Sequence, residues 1–141
     1  MTTLSPHFSL AEMTVTTTGL ANIPNTQQLS RLTCTANAME AVRKLLGHPV
    51  RVNSAFRSAA VNKRVGGSPT SAHALGYAVD FVCPAFGDPM AICRAIAASG
   101  IKFDQLIMEQ NRWVHISFDP RMRGQVLSWH GGKYLPGLVA K

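Results

Sequence analysis

Several patterns that define large protein classes are missing from this sequence. Its 141 residues contain no apolar run as long as the ~18 residues that a membrane-spanning helix needs, so no membrane insertion is expected. The N-terminal segment has neither a basic start nor an apolar stretch, so no signal peptide is expected. The three cysteines, Cys34, Cys83 and Cys93, are an odd number without CxxC spacing, and they predict free, buried thiols in a reducing compartment.

Acidic residues are scarce. Seven Asp and Glu stand against fourteen Lys and Arg, which gives a formal net charge of +7. Such a balance favours anionic polymers, either nucleic acid or the polymers of a bacterial cell wall. The basic residues are dispersed without a long tract or interleaved aromatics, so no nucleic-acid partner is expected. A hydrophobic content of 46% with 15% charged residues is typical of a soluble globular protein, and the length suits one domain over residues 1–141.

Helical and strand patterns are mixed along the chain and predict an α+β fold. The helices are predicted to start at the capping residues Ser9, Asn25, Ser58 and Asp88. The strands are predicted over 50–56, 77–82, 105–109 and 113–118, the last two joined as a hairpin. No firm structure is predicted for the tail after Pro120. We therefore expect helices packed on a small, mostly antiparallel sheet.

Two histidines and an aspartate form the most informative group of residues. His73 and Asp80 lie in one short segment that is predicted to be extended, β-type chain, and His115 lies in the last predicted strand. Two imidazoles and a carboxylate are the ligand set of a catalytic zinc site, in which three protein ligands leave a fourth position for water. If the three side chains converge, the protein is a metallohydrolase.

The surroundings of these residues fit such a site. Asp80 lies in mid-strand, where a carboxylate is costly unless it is paired, hydrogen-bonded or bound to a metal. Gly76 lets the chain turn so that His73 and Asp80 can face one point, and Ser71 can orient His73 through a hydrogen bond. Each residue taken alone has a simpler explanation, because strand histidines and aspartates are often ordinary structural residues. The combination favours a metal site.

The pattern Ser-x-His-x-x-Gly-x-Ala-x-Asp over 71–80, followed by Trp-x-His over 113–115, resembles that of the M15 zinc peptidases. These include D-alanyl-D-alanine carboxypeptidases and phage endolysins that cut L-alanyl-D-glutamate bonds. Residues 53–58, with the glycine pair at 66–67, add to the resemblance, which covers roughly 8–118. It implies the hedgehog/DD-peptidase fold and one zinc ion per chain, with His73, Asp80 and His115 as ligands.

The resemblance also assigns a catalytic arginine. Arg57 matches the family's arginine, which would hold a substrate carboxylate or carbonyl oxygen and stabilise the oxyanion as it forms. The simpler alternative is a surface ion pair. Ser71, Asn62 and Trp113 are expected close to the ligands, where they would contact substrate or support the site.

The general base departs from the family pattern. Many relatives carry an acid three residues before the final histidine, where this sequence has Arg112, which cannot accept a proton at neutral pH. Glu109, at the end of the preceding strand, is the predicted base, because a hairpin could aim its carboxylate at the site. The alternative is a solvated acid or a partner for Arg112. His130, in the tail, is expected outside the site.

Together these features predict a monomeric zinc peptidase that cuts stem peptides of bacterial peptidoglycan, as a phage or prophage lysin does. It would reach the cell wall after release from the host cytoplasm or from the virion. Carboxypeptidase and endopeptidase activity both stay open. One alternative is a metal-binding but inactive cell-wall-binding or virion module, which the displaced acid would explain, and another is a basic nucleic-acid binder.

Overall fold

The structure, a computed structural model, describes residues 2–140, so the two end residues of the predicted domain, Met1 and Lys141, lie outside the described residues. The helices are α1 Leu10–Met13, α2 Thr26–Leu46, α3 Ala59–Arg64, α4 Ala72–Leu75 and α5 Pro89–Ala98. The strands are β1 Thr3–Ser5, β2 Phe8–Ser9, β3 Arg51–Ser54, β4 Ala78–Val82, β5 Gln105–Glu109, β6 Trp113–Ser117, β7 Gln125–His130 and β8 Lys133–Pro136. Within residues 2–140, no helix is both long and apolar enough to cross a bilayer.

The helix starts agree with the predicted capping residues. Asn25 and Gln28 form a reciprocal capping box at the start of α2, in which each side chain accepts a hydrogen bond from the other residue's backbone N–H. Such a box satisfies two of the amide groups that a helix start leaves unpaired. The other three predicted caps, Ser9, Ser58 and Asp88, also accept hydrogen bonds at helix starts. These four predictions are confirmed.

Six strands form one sheet in the described chain, in the order β3-β4-β6-β5-β7-β8. Every neighbouring pair is antiparallel except β5 and β7, which are parallel. The predicted β5–β6 hairpin is present, and the α+β class with a mostly antiparallel sheet is confirmed.

The two faces of the sheet have different neighbours. Val79 and Phe81 of β4, with Val114 and Ile116 of β6, are fully buried in the hydrophobic core. The helices α2 and α5 pack together, and α5 covers β5 and β6 on this face. Because side chains alternate along a strand, the residues between them point to the opposite face. That opposite face carries Asp80 and His115.

Two sequence interpretations were wrong, and the structure adds two strands where none was predicted. His73 lies in the helical turn α4 and not on extended chain, because a helix of four residues is too short to show periodicity. The tail after Pro120, for which no firm structure was predicted, contains two strands, β7 and β8. Cys34 is exposed on α2, whereas Cys83 and Cys93 are buried as expected.

Candidate metal centre

Strand pairing and one glycine bring the three predicted ligands together. Asp80 of β4 lies directly opposite His115 of β6 in the antiparallel ladder, so their side chains share a face. His73 reaches the same point because Gly76 ends α4 in a left-handed conformation, with φ of 93°. A Cβ at Gly76 would lie 3.0 Å from the carbonyl oxygen of Gln28 in α2, so glycine also allows the close approach of this turn to the helix.

The donor atoms of the three candidate ligands lie close together. One donor atom from each of His73, Asp80 and His115 lies within 4.8 Å of the other two. Asp80 Oδ1 is 3.1 Å from His73 Nε2 and 2.9 Å from His115 Nδ1. The two imidazole rings meet edge to face with centroids 5.1 Å apart. Two nitrogens around one carboxylate oxygen form a donor set that suits zinc.

The protonation of these groups favours a bound cation. The Ala55 carbonyl oxygen lies 2.7 Å from His73 Nδ1 and can only accept, so Nδ1 carries the proton and Nε2 faces Asp80. Burial lowers the pKa of His73 and so favours its neutral form, although the charge of Asp80 opposes the shift. Burial also acts against ionisation of Asp80, but the two nearby imidazoles, His73 first, outweigh it and hold the Asp80 pKa well below its usual range. Neutral His73 Nε2 and the Asp80 carboxylate are then two acceptors that face each other with no proton between them. A metal ion at this position would be bound by both.

Arg57 lies beside the ligands. Its Nη2 is 3.4 Å from Asp80 Oδ2, the oxygen that does not face the histidines, and its Nε donates to Ser54 Oγ at 3.1 Å. The Arg57 backbone N–H also donates to the His73 carbonyl oxygen. The side chain is largely buried, with 17% exposed. Arg57 therefore makes a largely buried contact to a candidate ligand, not the surface ion pair of the simpler alternative.

Ser71 and Asn62 support the segment that carries His73. Ser71 is the N-cap of α4, and its hydroxyl accepts a hydrogen bond from the His73 backbone N–H at 3.2 Å. Asn62 is buried away from the cleft and donates to the Ser68 carbonyl oxygen at 2.7 Å. A Cβ at Gly67 would lie 2.1 Å from Asn62 Oδ1, so this loop fits over Asn62 only with glycine at that position. The structure places Asn62 beneath the loop rather than at a substrate-contacting surface.

Glu109 faces the ligands, whereas Arg112 does not. Glu109 pairs with Trp113 across the hairpin, one step along the same face from the pair of Ile107 and His115. Both Glu109 and Trp113 line the cleft above the ligands, and Arg112 is exposed on the turn outside it. Burial raises the pKa of the Glu109 carboxyl, with Asp80 adding to the shift and His115 and Arg57 opposing it. An elevated pKa suits a carboxylate that takes up and returns a proton.

The cleft has a volume of about 560 Å³. One side is formed by the small and polar residues of the loop 66–72, and the other by Trp113, Trp129 and Tyr134. Sequence analysis missed Trp129 and Tyr134, which lie on β7 and β8. The pair Gly131-Gly132 could have indicated these strands, because two glycines between runs of strand-forming residues are typical of a tight hairpin. Both glycines have positive φ, 56° and 86°.

His130 lies outside the cleft, as expected. Its Nε2 is 2.7 Å from the Val139 carbonyl oxygen, and its ring borders a separate cavity near the start of α5. Within residues 2–140, His73, Asp80 and His115 are the only group of three or more His, Cys, Asp or Glu residues placed to hold a metal ion.

A cleft in an α+β fold with two histidines and an aspartate at its base is the arrangement of a metallohydrolase. The family model described as Peptidase M15 matches residues 6–117. This is more than half of the chain, so the chain belongs to the M15 peptidase family, as the sequence motifs indicated. No curated protein gives a significant match. M15 peptidases are zinc-dependent, so family membership supports a hydrolase of the metallopeptidase class.

Proposed function

We propose that this protein is a zinc peptidase that hydrolyses peptide bonds in the stem peptides of bacterial peptidoglycan. The observation that carries the proposal is the convergence of His73, Asp80 and His115 at the base of a cleft, in a chain of the M15 family. His73 Nε2, His115 Nδ1 and a carboxylate oxygen of Asp80 would hold one zinc ion. When bound, zinc supplies Lewis acidity, which makes water acidic enough to act as a nucleophile near neutral pH.

Glu109 is the proposed general base. Its carboxylate shares a face and a cleft with His115, and its raised pKa lets it take a proton from the attacking water and return one to the leaving amine. Arg112, at the position of the base in many relatives, points away from this cleft.

Arg57 is the proposed electrostatic partner of the substrate. Its guanidinium is anchored to Ser54 and Asp80 and lines the cleft, so it is held in place before substrate binds. A fixed cation can stabilise negative charge on a carbonyl oxygen without reorganisation during the reaction. It can also hold a substrate carboxylate by paired hydrogen bonds.

The proposed substrate and place of action follow from the M15 motifs and from charge. The net charge of +7 favours contact with an anionic cell wall. We propose that the protein acts there as a monomeric phage or prophage lysin, after release from the host cytoplasm or from the virion.

Mass spectrometry of purified peptidoglycan after digestion tests the proposal. Zinc-loaded protein is expected to release new peptide ends, a chelator to stop their release, and added zinc to restore it. The mass of the products identifies the bond, and it separates removal of a terminal residue from cleavage within the peptide. Cleavage that continues at full rate in zinc-free protein contradicts the proposed mechanism.

A second candidate is an inactive module that binds metal and cell wall. The observation that favours it is Arg112 at the family's usual position for the base. This candidate predicts zinc binding and sedimentation with peptidoglycan without any new peptide ends. The digestion experiment therefore distinguishes the two.

A further inference from the structure

The C-terminal hairpin adds an aromatic surface to the cleft. Strand β7 joins β5 in parallel, which places Trp129 directly beside Glu109. Strand β8 then pairs with β7 and places Tyr134 beside Trp129. Together with the pairing of Glu109 and Trp113, this makes one continuous row across four strands, Trp113-Glu109-Trp129-Tyr134. Residues paired across a sheet share a face, so Trp113 and Trp129 flank the proposed base and Tyr134 lies beyond Trp129.

Two of these aromatics come from outside the segment that the family model matches. That segment ends at residue 117, whereas Trp129 and Tyr134 lie on β7 and β8. Tyr134 is 59% exposed although it is a large aromatic residue, and it lines the cleft with Trp129, Glu109 and His115. Burial raises the pKa of Tyr134, and the nearby charges of Glu109 and Asp80 raise it further, which agrees with a position facing the site.

The two sides of the cleft differ in chemistry. The loop 66–72 offers small and polar groups, whereas the hairpin offers the aromatic side chains of Trp129 and Tyr134. Aromatic faces bury much apolar area, and their electron-rich surface attracts C–H groups. Tyr and Trp lose little side-chain entropy on binding and often carry a large share of the binding energy.

We propose that Trp129 and Tyr134 bind a C–H-rich face of the substrate next to the scissile bond and so determine its specificity. This rests on the proposed peptidase function and names the surface that selects its substrate. The C–H-rich face can come from an aliphatic side chain of the stem peptide or from the ring of the attached sugar. Both sources have the same chemistry, and the experiment separates them.

Steady-state kinetics on soluble stem peptides, with and without the attached sugar, test the proposal. Tyr134→Ala and Trp129→Ala are expected to raise KM about tenfold for the peptides that carry the bound C–H-rich face while kcat changes little, because the lost contact is present in both ground and transition states. Tyr134→Phe keeps the ring and is expected to retain most of the affinity. Phe86→Ala is the matched control, since Phe86 is a partly exposed aromatic residue that does not line this cleft. Zinc content is measured for each variant and should equal that of wild type.

Intrinsic fluorescence supplies a readout that does not depend on turnover. The chain has two tryptophans, and both Trp113 and Trp129 line the cleft. Product peptides, with and without their sugar, are titrated into the zinc-loaded protein, and saturable quenching is expected. If Tyr134→Ala weakens Kd tenfold for both peptides, the C–H-rich face belongs to an aliphatic side chain of the stem peptide. If only the sugar-bearing peptide binds more weakly, the face belongs to the sugar ring.

The outcomes separate this inference from the function on which it rests. Unchanged KM and Kd for both kinds of peptide in Tyr134→Ala and Trp129→Ala, in a preparation whose wild type cleaves the peptides, overturn the inference alone. A zinc-loaded wild type that neither cleaves nor binds these peptides overturns the proposed function, and the inference with it.

Discussion

His73 Nε2 and Asp80 Oδ1 face each other at 3.1 Å, while Nδ1 of the same ring lies 2.7 Å from the Ala55 carbonyl oxygen. Because Nδ1 donates to this carbonyl, neutral His73 presents a lone pair to a carboxylate. Two acceptors at this distance repel unless a proton or a metal ion lies between them. Burial lowers the pKa of His73 and disfavours the protonated form, so the arrangement is best satisfied by a metal ion.

Zinc is therefore expected to stabilise the fold. A ligand at 100 times its Kd adds about 2.7 kcal/mol to the free energy of unfolding, which is a clear rise in Tm for a small domain. Scanning fluorimetry should show this rise with zinc, and elemental analysis should show one zinc per chain. The substitutions His73→Ala, Asp80→Asn and His115→Ala should each abolish the shift.

His130→Ala is the matched control for zinc binding, because His130 borders a different cavity. It should keep the full shift in Tm and the full zinc content. An unchanged zinc shift in Asp80→Asn would show that the metal binds elsewhere.

Glu109→Gln should remove activity and leave the metal site intact. A positioned base contributes about 10²- to 10⁴-fold to the rate, and the amide cannot take up the proton. We expect kcat to fall by that order with unchanged zinc content. Arg112→Gln, on the exposed turn, should keep wild-type kcat. Full activity in Glu109→Gln assigns the base to another residue.

The pH profile of kcat/KM reports the same carboxyl. Burial raises the pKa of Glu109 above its ordinary value of 4.5, and only the ionised form can act as a base. Activity is therefore expected to fall as pH decreases through this raised value, with the midpoint above 4.5. Zinc content measured at each pH separates this loss from release of the metal. A midpoint at or below the ordinary value argues against Glu109.

Much of the fold could be predicted from the sequence because its signals are local. Asn25 and Gln28 define a helix start through contacts within four residues, and this prediction is confirmed. The alternation of Val114 and Ile116 with His115 likewise fixes which side chain leaves the core. In both cases, one short segment contains the whole physical cause.

The C-terminal hairpin could not be predicted in the same way. Strand β7 is half-buried and pairs in parallel with β5, so its stability depends on a segment distant in sequence. The contribution of Trp129 and Tyr134 to the cleft depends on that pairing and on its register. A pattern confined to the tail carries no information on which strand it joins.

Gly76→Ala should damage the metal site through the backbone. Residue 76 has φ of 93°, where a residue with a Cβ is strained by about 1–2 kcal/mol, and the added Cβ would also press on the Gln28 carbonyl oxygen. We expect a lower Tm and weaker zinc affinity, because this turn places His73 opposite Asp80. Gly47→Ala also replaces a glycine of positive φ but meets open space, so it should lower Tm without changing zinc affinity. Equal zinc affinity in both variants contradicts the proposed role of the turn.

Asp104 connects the C-terminal hairpin to the rest of the sheet. Its buried carboxylate accepts two hydrogen bonds from the Arg123 guanidinium, both at 2.8 Å, and one from the Arg123 backbone N–H. These bonds hold the turn before β7 against the start of β5. The hydrogen bonds from Arg123 lower the pKa of Asp104 well below its ordinary value of 3.8, although burial opposes the shift.

A depressed folded-state pKa means that this carboxylate stabilises the fold above pH 3.8 and that the contribution is lost as pH falls further. Asp104→Asn is therefore expected to lower Tm at neutral pH and to flatten the fall in Tm below about pH 4. It should also raise KM for stem peptides, because the hairpin that carries Trp129 and Tyr134 is held less firmly. Lys102→Gln is the control, since the Lys102 side chain is exposed, makes no ion pair within the described residues and should change Tm little. A normal Tm with normal KM in Asp104→Asn would show that the hairpin is held by its strand pairing alone.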